Sequence, residues 1–576
     1  MMFEKKVLLK EQTLAEMLDF SMQTYADEPF VGFVGKTALT YGEVGEKVAT
    51  LQLILEELGI KAGDRVALLS ENMPHWSVVY LAVTSMGAVI VPILPDFHEN
   101  EVHHILRHSQ AKAVFASSRQ EDKITTENTP DLAYIFNTDE LALVQSITSK
   151  FSDFKAKSDE NFAQLKTRVM KLAGVKEDKK TNRPKEDDIA AILYTSGTTG
   201  QSKGVVLEHK SLVFEAVSAQ TLIDLDPSDK FLSVLPLAHT LECSLGFLTP
   251  MLRGASVHYV EKVPTPRILV EAMGNVKPTY MLTVPLIIEK IYKNRIQPNF
   301  NKNIVIKTLY KIPFVRKKLN RIAGKKLYET FGGRLKFFGI GGSRLSPHVE
   351  SFLQEAEFPY AIGYGLTETA PLLAGAIPGH TRVGSTGPAI DGVELKIVKQ
   401  EGSTEDGEIL ARGPNVMRGY YKDEARTKEV LDDEGWFRTE DLGYFDSDGY
   451  LFISGRSKNV IIGAGGENIY PEQIESVINS HDLVSESLVY EHDGKVAALI
   501  YLDYEKIDAK YSVAKTADSK MHENIATLLE TIRVESNTKV SAYSRVTSVM
   551  EQSEPFVMTP TKKIKRFLYT KKGLDK

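Results

Sequence analysis

Residues 194–205 read YTSGTTGQSKGV. Small hydroxylated side chains and glycines crowd around one lysine, Lys203, and the fold turns on where this run lies. It follows IAAILYT, which reads as a buried strand, and precedes VVLEHKSLVFEA, which runs into a helix. A loop of this composition at a strand end aims backbone N–H groups and hydroxyls at one anion. Its glycines allow the dihedrals and close approach that a phosphate demands. A Walker A loop is excluded, because that pattern needs Gly-Lys-Ser/Thr and here Lys203 stands between Ser202 and Gly204. At this point Lys203 either holds a phosphate or keeps a loop solvated.

Outward from the loop, short apolar runs alternate with helical patterns. A helix is expected over Leu14–Phe20. Another starts at Thr40, with Val44, Val48, Leu51, Leu55 and Leu58 on one face and Gly59 ending it. GDRVALLS and AVIVPIL read as strands flanking the helix NMPHWSVVYLAVTSMG. Strands recur at Lys112–Ala116, Asp188–Thr195, Phe231–Pro236, Ser256–Tyr259, Tyr280–Val284 and Leu335–Ile340. This alternation predicts an α/β fold with mostly parallel sheets covered on both faces.

From Gly384 the texture becomes short strands between Gly, Asp and Asn turns, so a small β-rich subdomain is expected over about 384–455. The expected division is a large part over 1–457 and a small α+β lid domain over 458–576. The lid would hold a helix near Glu472–Asn479, the hairpin ESLVYEHDGKVAALIYLD and a helix near Glu523–Val534. Residues from about Ser118 to Asp187 are irregular and end in a lysine-rich insertion or linker.

At 576 residues the chain exceeds what one core supports. A net charge of −6 gives no general attraction to nucleic acid, and no nucleic-acid module assembles. With one cysteine, Cys243, an internal disulfide is impossible, which suits a reducing cytoplasm. The N-terminal residues carry acids without a long apolar run, unlike a signal peptide. Val78–Leu94, the most apolar segment, is broken by Gly87 and Pro92 and reads as buried helix and strand rather than a membrane span.

Further motifs then follow in order: PLAHTLE at 236–242, GIGGSRLS at 339–346, GYGLTETAP at 363–371, WFRTEDLGY at 436–444, GRSKNVIIGAGGENIYPEQIE at 455–475 and MTPTKKIKR at 558–566. Together with the loop they closely resemble the adenylate-forming, or AMP-binding, enzyme superfamily. LPLAHT, VPLIIEKIY and GYGLTETAP look most like its long-chain fatty acyl-CoA synthetases. The resemblance implies two half-reactions. A fatty acid carboxylate attacks the α-phosphate of MgATP, giving acyl-AMP and pyrophosphate, and the thiolate of coenzyme A then displaces AMP. The alternatives are an acyl-AMP ligase serving a carrier protein, a ligase for another hydrophobic acid, and a nucleotide- or acyl-binding sensor without turnover.

The same resemblance implies roles residue by residue. Thr195, Ser196, Gly197, Thr198, Thr199 and Gly200 would hold the β- and γ-phosphates, with Lys203 in support. Glu368 would bind Mg²⁺, a cation that shares oxygen ligands with substrate phosphates. Thr367 would bond the α-phosphate. Tyr364 and Gly365 would meet adenine, with Gly341, Gly342 and Ser343 along the base. Asp441 would take the ribose hydroxyls, helped by Arg456. Lys563 would bridge carboxylate and α-phosphate, and His239 would gate the acyl carboxylate. Lys458 would be the interdomain hinge, and Gly465 and Gly466 would line a pantetheine tunnel.

Two positions depart from the family pattern. Glu440 replaces the usual glycine before Asp441 and is expected to point to solvent. Lys562 replaces the glycine before the tail lysine, where spacing to Thr559, Pro560 and Arg566 favours Lys563. PLAHTLE lacks the aspartate with which amino-acid-activating relatives pair the amino group.

His104 and His108 are spaced for one helical face and read as solvated histidines. The stretch Lys302–Lys326 is basic, interleaved with apolar residues and free of Asp and Glu. It reads either as a helix packing one face on the domain or as a peripheral membrane contact at the inner face of the membrane.

Overall fold

A computed structural model describes residues 7–125, 129–146, 183–195, 202–262, 265–301, 303–399, 406–463, 467–511, 518–559 and 563–570. Local chemistry starts the elements where the pattern places them. Thr40 caps the helix Tyr41–Glu57: its hydroxyl accepts from the Glu43 N–H, and the Glu43 carboxylate accepts from the Thr40 N–H. Val44, Val48, Leu51 and Leu55 form its buried face. The helix Pro74–Ser85 starts with Pro74 in its first turn and is buried along almost its whole length, which accounts for its uniformly apolar sequence. Among the described residues no helix is long and apolar enough to cross a membrane.

Two mixed sheets, each of eight strands among the described residues, make the large part. One runs in the order Leu372–Gly375, Tyr360–Gly365, Phe337–Ile340, Tyr280–Thr283, Lys230–Ser233, Ser256–Tyr259, Pro29–Phe33, Leu39–Thr40. The other runs Gly419–Tyr420, Lys203–Glu208, Ile189–Thr195, Val89–Ile93, Arg65–Leu69, Ala113–Ala116, Tyr134–Asn137, Ala142–Ser146. Their interiors are parallel and their edges antiparallel. The central strand residues Val66–Leu69 and Val89–Ile93 are buried on both faces, as sheets covered by helices require.

The sequence pattern did not separate one strand at the opening stretch. KGVVLE forms a strand, Lys203–Glu208, that returns antiparallel to Ile189–Thr195 before the helix His209–Ser218 begins. Thr195 and Lys203 are therefore directly paired, at the end of two antiparallel strands.

A five-stranded antiparallel sheet follows, in the order Ser385–Gly387, Leu451–Arg456, Phe437–Phe445, Gly407–Arg412, Glu394–Val398. Beyond it, Val484–His492, Lys495–Leu502 and Ser548–Gln552 form a three-stranded sheet flanked by the helices Pro471–Asn479 and Asp518–Asn537. A separate apolar core, drawn only from residues between Ile461 and Val549, holds this last unit together.

Candidate active site

The pairing with Thr195 also places Lys203. Its ammonium donates to Glu368 Oε1 at 2.8 Å and to the Tyr420 hydroxyl at 2.6 Å, and lies 4.1 Å from the centre of the Tyr420 ring. Tyr420 in turn donates to Glu368 Oε1 at 3.0 Å. Burial would push the Glu368 carboxyl up, but Lys203 and Tyr420 outweigh it and hold it below its ordinary value. Glu368 sits in the short turn Thr367–Thr369, fixed where its own carbonyl accepts from the Met417 N–H. Thr367 beside it is half-buried.

A second cluster forms across the five-stranded sheet. Asp441 and Arg456 are cross-strand partners, and Arg456 Nε lies 2.9 Å from Asp441 Oδ1. The Tyr364 hydroxyl donates to Asp441 Oδ2 at 2.9 Å. Burial lifts the Asp441 carboxyl above its usual range, and Arg456 and Tyr364 pull back part of that rise. Gly365 is dictated by space: a Cβ there would lie 1.7 Å from the Pro371 carbonyl oxygen. Gly342 has a φ of +89°, and Gly341, Gly342 and Ser343 follow the strand Phe337–Ile340.

Glu440 keeps part of its side chain in solvent, as expected, and also finds a partner. Its carboxylate lies 2.6 Å from the Lys458 ammonium, drawn there by opposite charge, and its backbone φ is +60°. That left-handed conformation is a physical reason for glycine at this position in other sequences.

The tail lysine reaches both clusters. Lys563 is exposed to solvent, yet its ammonium is lowered in pKa, by desolvation first and then by Arg456, while Asp441 and Glu368 oppose the shift. Water reaches the side chain, but surrounding protein removes part of its hydration. His239 feels the same ammonium: burial first, then Lys563, lowers the imidazole to about 4. His239 Nδ1 accepts from the Leu241 N–H at 3.3 Å, so the neutral ring carries its proton on Nε2. The Lys563 N–H donates to Thr559 Oγ1 at 3.0 Å. Arg566 ties the tail down by an ion pair with Glu475 on the helix Pro471–Asn479 and by a bond to the Val489 carbonyl at 3.2 Å.

Ser196, Gly197, Thr198, Thr199, Gly200, Gly465, Gly466, Pro560 and Lys562 lie outside the described residues. Thr195 is described, and its hydroxyl is buried with no partner among the described residues. His104 and His108 are not simply solvated. Their rings stack 5.5 Å apart; His104 Nε2 lies 3.3 Å from the Ser202 carbonyl, and His108 Nδ1 lies 2.8 Å from the Tyr194 hydroxyl. They thus grip the end of the strand Ile189–Thr195 and the residue that precedes the strand Lys203–Glu208.

Sequence reasoning missed two residues. Tyr420, in the run GYY, carries no motif that announces it. Glu242 was quoted within PLAHTLE without a role. It is buried, one oxygen has no partner among the described residues, and burial raises its carboxyl to about 8, with Ser233 opposing.

Oxygen donors dominate the possible cation site. The Glu368 carboxylate is kept ionised, and the orphaned Thr195 hydroxyl ends a strand paired with Lys203. One fixed carboxylate suits Mg²⁺ shared with phosphate oxygens rather than a closed all-protein cage.

Residues 18–421 match the family described as AMP-binding enzyme. The chain is 28% identical over 611 residues to the peroxisomal long chain acyl-CoA synthetase 7 of Arabidopsis thaliana, covering 96% of this chain and 84% of that protein. It is 31% identical to long chain acyl-CoA synthetase 1 of the same plant, covering 78% and 71%. The crystal structure of the anthranilate CoA ligase AuaEII in complex with anthranoyl-AMP superposes with a TM-score of 0.75 at 21% identity, covering 98% of each chain. With the family matched over residues 18–421, most of its length, this chain belongs to the AMP-binding enzymes and is an adenylate-forming ligase.

Proposed function

We propose that the chain is an ATP-dependent long-chain fatty acid–CoA ligase. The observation that carries the reading is Lys563, set within electrostatic range of Glu368, Asp441, Arg456 and His239. Two anions, a carboxylate and the α-phosphate, must meet in the first half-reaction, and a mobile cation between them offsets their repulsion. Their arrival would also restore the proton affinity that desolvation takes from Lys563.

In this reading residues 195–200 and Lys203 hold the β- and γ-phosphates. Thr367 bonds the α-phosphate, and Tyr364, Gly365 and the 341–343 segment frame adenine. Asp441 and Arg456 hold the ribose. Glu368, with Thr195 beside the phosphates, would hold Mg²⁺, which supplies charge neutralisation at the leaving pyrophosphate. His239 offers its Nε2–H to the acyl carboxylate. The unit from Lys458 onward then swings, removing Lys563 and bringing the 463–468 loop to the thioester-forming pose.

A simple carboxylic acid is favoured because PLAHTLE presents no ionised acid to an amino group: the Glu242 carboxyl, at about 8, stays neutral at pH 7. The names of the Arabidopsis relatives support a long-chain substrate. The test is pyrophosphate release across acids of graded chain length, with and without coenzyme A. Long-chain acids should give the highest kcat/KM and a CoA-dependent turnover. Turnover only with a phosphopantetheinylated carrier protein, or only with short or aromatic acids, would overturn the reading.

A further inference from the structure

The basic stretch forms two successive helices, Ile304–Leu309 and Pro313–Thr330, with a fixed inner face and an unpartnered outer one. Asn320, Gly324 and Leu327 are buried against the domain, and a Cβ at Gly324 would lie 2.5 Å from the Ala356 Cβ. The join between the helices is pinned. Tyr310 donates to Asn320 at 2.8 Å and stacks on Phe300 at 4.5 Å, and Arg316 and Asn320 both bind the Glu355 carboxylate. This scaffold leaves Ile304 81% and Phe314 79% exposed, with Val305, Ile312 and Ile322 also exposed.

Between residues 303 and 326 the helices carry charge of one sign, and Glu329 lies beyond, in the last turn of the second helix. No Asp or Glu occurs between 303 and 326. Arg316 and Arg321 are paired with Glu355 and Glu357. Lys307, Lys311, Lys317 and Lys318 are exposed and enter no ion pair among the described residues. A chain of net charge −6 therefore presents a local positive face studded with outward apolar side chains. Scattered exposed apolar residues are ordinary, but apolar residues rimmed by unpaired lysines match an interfacial layer in which lipid headgroups are anionic and acyl chains lie just beneath.

We propose that the Ile304–Leu309 and Pro313–Thr330 helices dock the protein on an anionic lipid bilayer, with Ile304 and Phe314 entering the interface and the lysines facing the headgroups. The inference goes beyond the ligase reading and can fail independently of it.

Flotation of the full chain with vesicles tests it. Vesicles of phosphatidylcholine with roughly 30% phosphatidylglycerol should bind at least about tenfold more protein than phosphatidylcholine alone. Binding should be released near ~0.5 M salt. The double variants Ile304→Ser/Phe314→Ser and Lys317→Glu/Lys318→Glu should each cut binding about tenfold. Both should keep ATP–pyrophosphate exchange on a detergent-dispersed acid, which also shows that they fold. Equal binding to the two vesicle types, or variants that bind like the parent, would overturn the proposal. So would a concentration-dependent dimer in ultracentrifugation that Phe314→Ser abolishes while vesicle binding is absent, because the face would then meet a second copy.

Discussion

Glu440 Oε1 lies 2.6 Å from Lys458 Nζ, joining the residue before the ribose-type aspartate to the residue proposed as the hinge. The pair is partly exposed, so it is worth about 0–1 kcal/mol. The left-handed backbone at Glu440 costs a comparable ~1–2 kcal/mol. Glu440→Gly removes both, and its denaturation midpoint should stay level or rise slightly. If the pair restrains the swing, thioester formation from supplied acyl-AMP should quicken by about two- to fivefold, the factor that such a weak pair allows. An unchanged single-turnover rate would detach Glu440 from the hinge.

Lys563→Ala should slow acyl-AMP formation by at least about 100-fold. Conversion of supplied acyl-AMP to thioester should persist. The fold should not suffer: the ammonium is lowered in the native state, so at neutral pH its charge is a cost that the variant removes. In the parent, kcat/KM for adenylation should fade with rising pH below the ordinary lysine range, since the free enzyme loses this proton early. Equal loss of both half-reactions would contradict the bridging role.

Asp441→Asn should raise the KM for ATP about tenfold or more, because a charged acceptor of two hydroxyls is lost. Its thermal midpoint should be level or higher at pH 7. The Asp441 carboxyl is raised by burial, and ionising an acid of raised pKa costs the native state above its unfolded value. Tyr364→Phe keeps the carboxylate and should move KM less. Steady-state kinetics beside a melting curve separate these outcomes.

Glu242 makes a purely pH-dependent prediction. Its carboxyl titrates near 4.5 unfolded and at about 8 in the native state. Between those values the native state holds the extra proton, so stability falls as pH rises through that window and levels off above it. Glu242→Gln cannot lose this proton. Its advantage over the parent in urea midpoint should grow from pH 5 to pH 8 and then plateau. A constant difference across that range would show that Glu242 is ionised throughout.

Local pattern carried most of the architecture. The helix from Thr40 declared its start through Thr40 and Glu43 and its inner face through Val44, Val48, Leu51 and Leu55. Strands such as Ser256–Tyr259 were legible as short apolar runs. The return strand Lys203–Glu208 was not, because its residues merge into the helix His209–Ser218 and only pairing with Ile189–Thr195 separates them. At the site, motif order singled out Glu368, Asp441 and Lys563, and the fold brings them within electrostatic reach of one another, while their roles stay part of the proposal. Tyr420 stayed hidden because its contact with Lys203 spans 217 residues and depends on the edge strand Gly419–Tyr420. The pairing of Glu440 with Lys458 is not legible in the sequence because it is set by the backbone course from Asp441 to Arg456 and on to Lys458, not by neighbours in sequence.

Arg566 stands three residues beyond Lys563 and is moored to Glu475 inside the last unit. The tail lysine is therefore cargo of that unit rather than a free-swinging arm. Under the proposed two-step cycle it would not withdraw alone: a motion of the unit that cleared room for a thiol would also disarm the first step. One short tether would thus enforce the order of events, so that a finished adenylate is handed forward before another can be started.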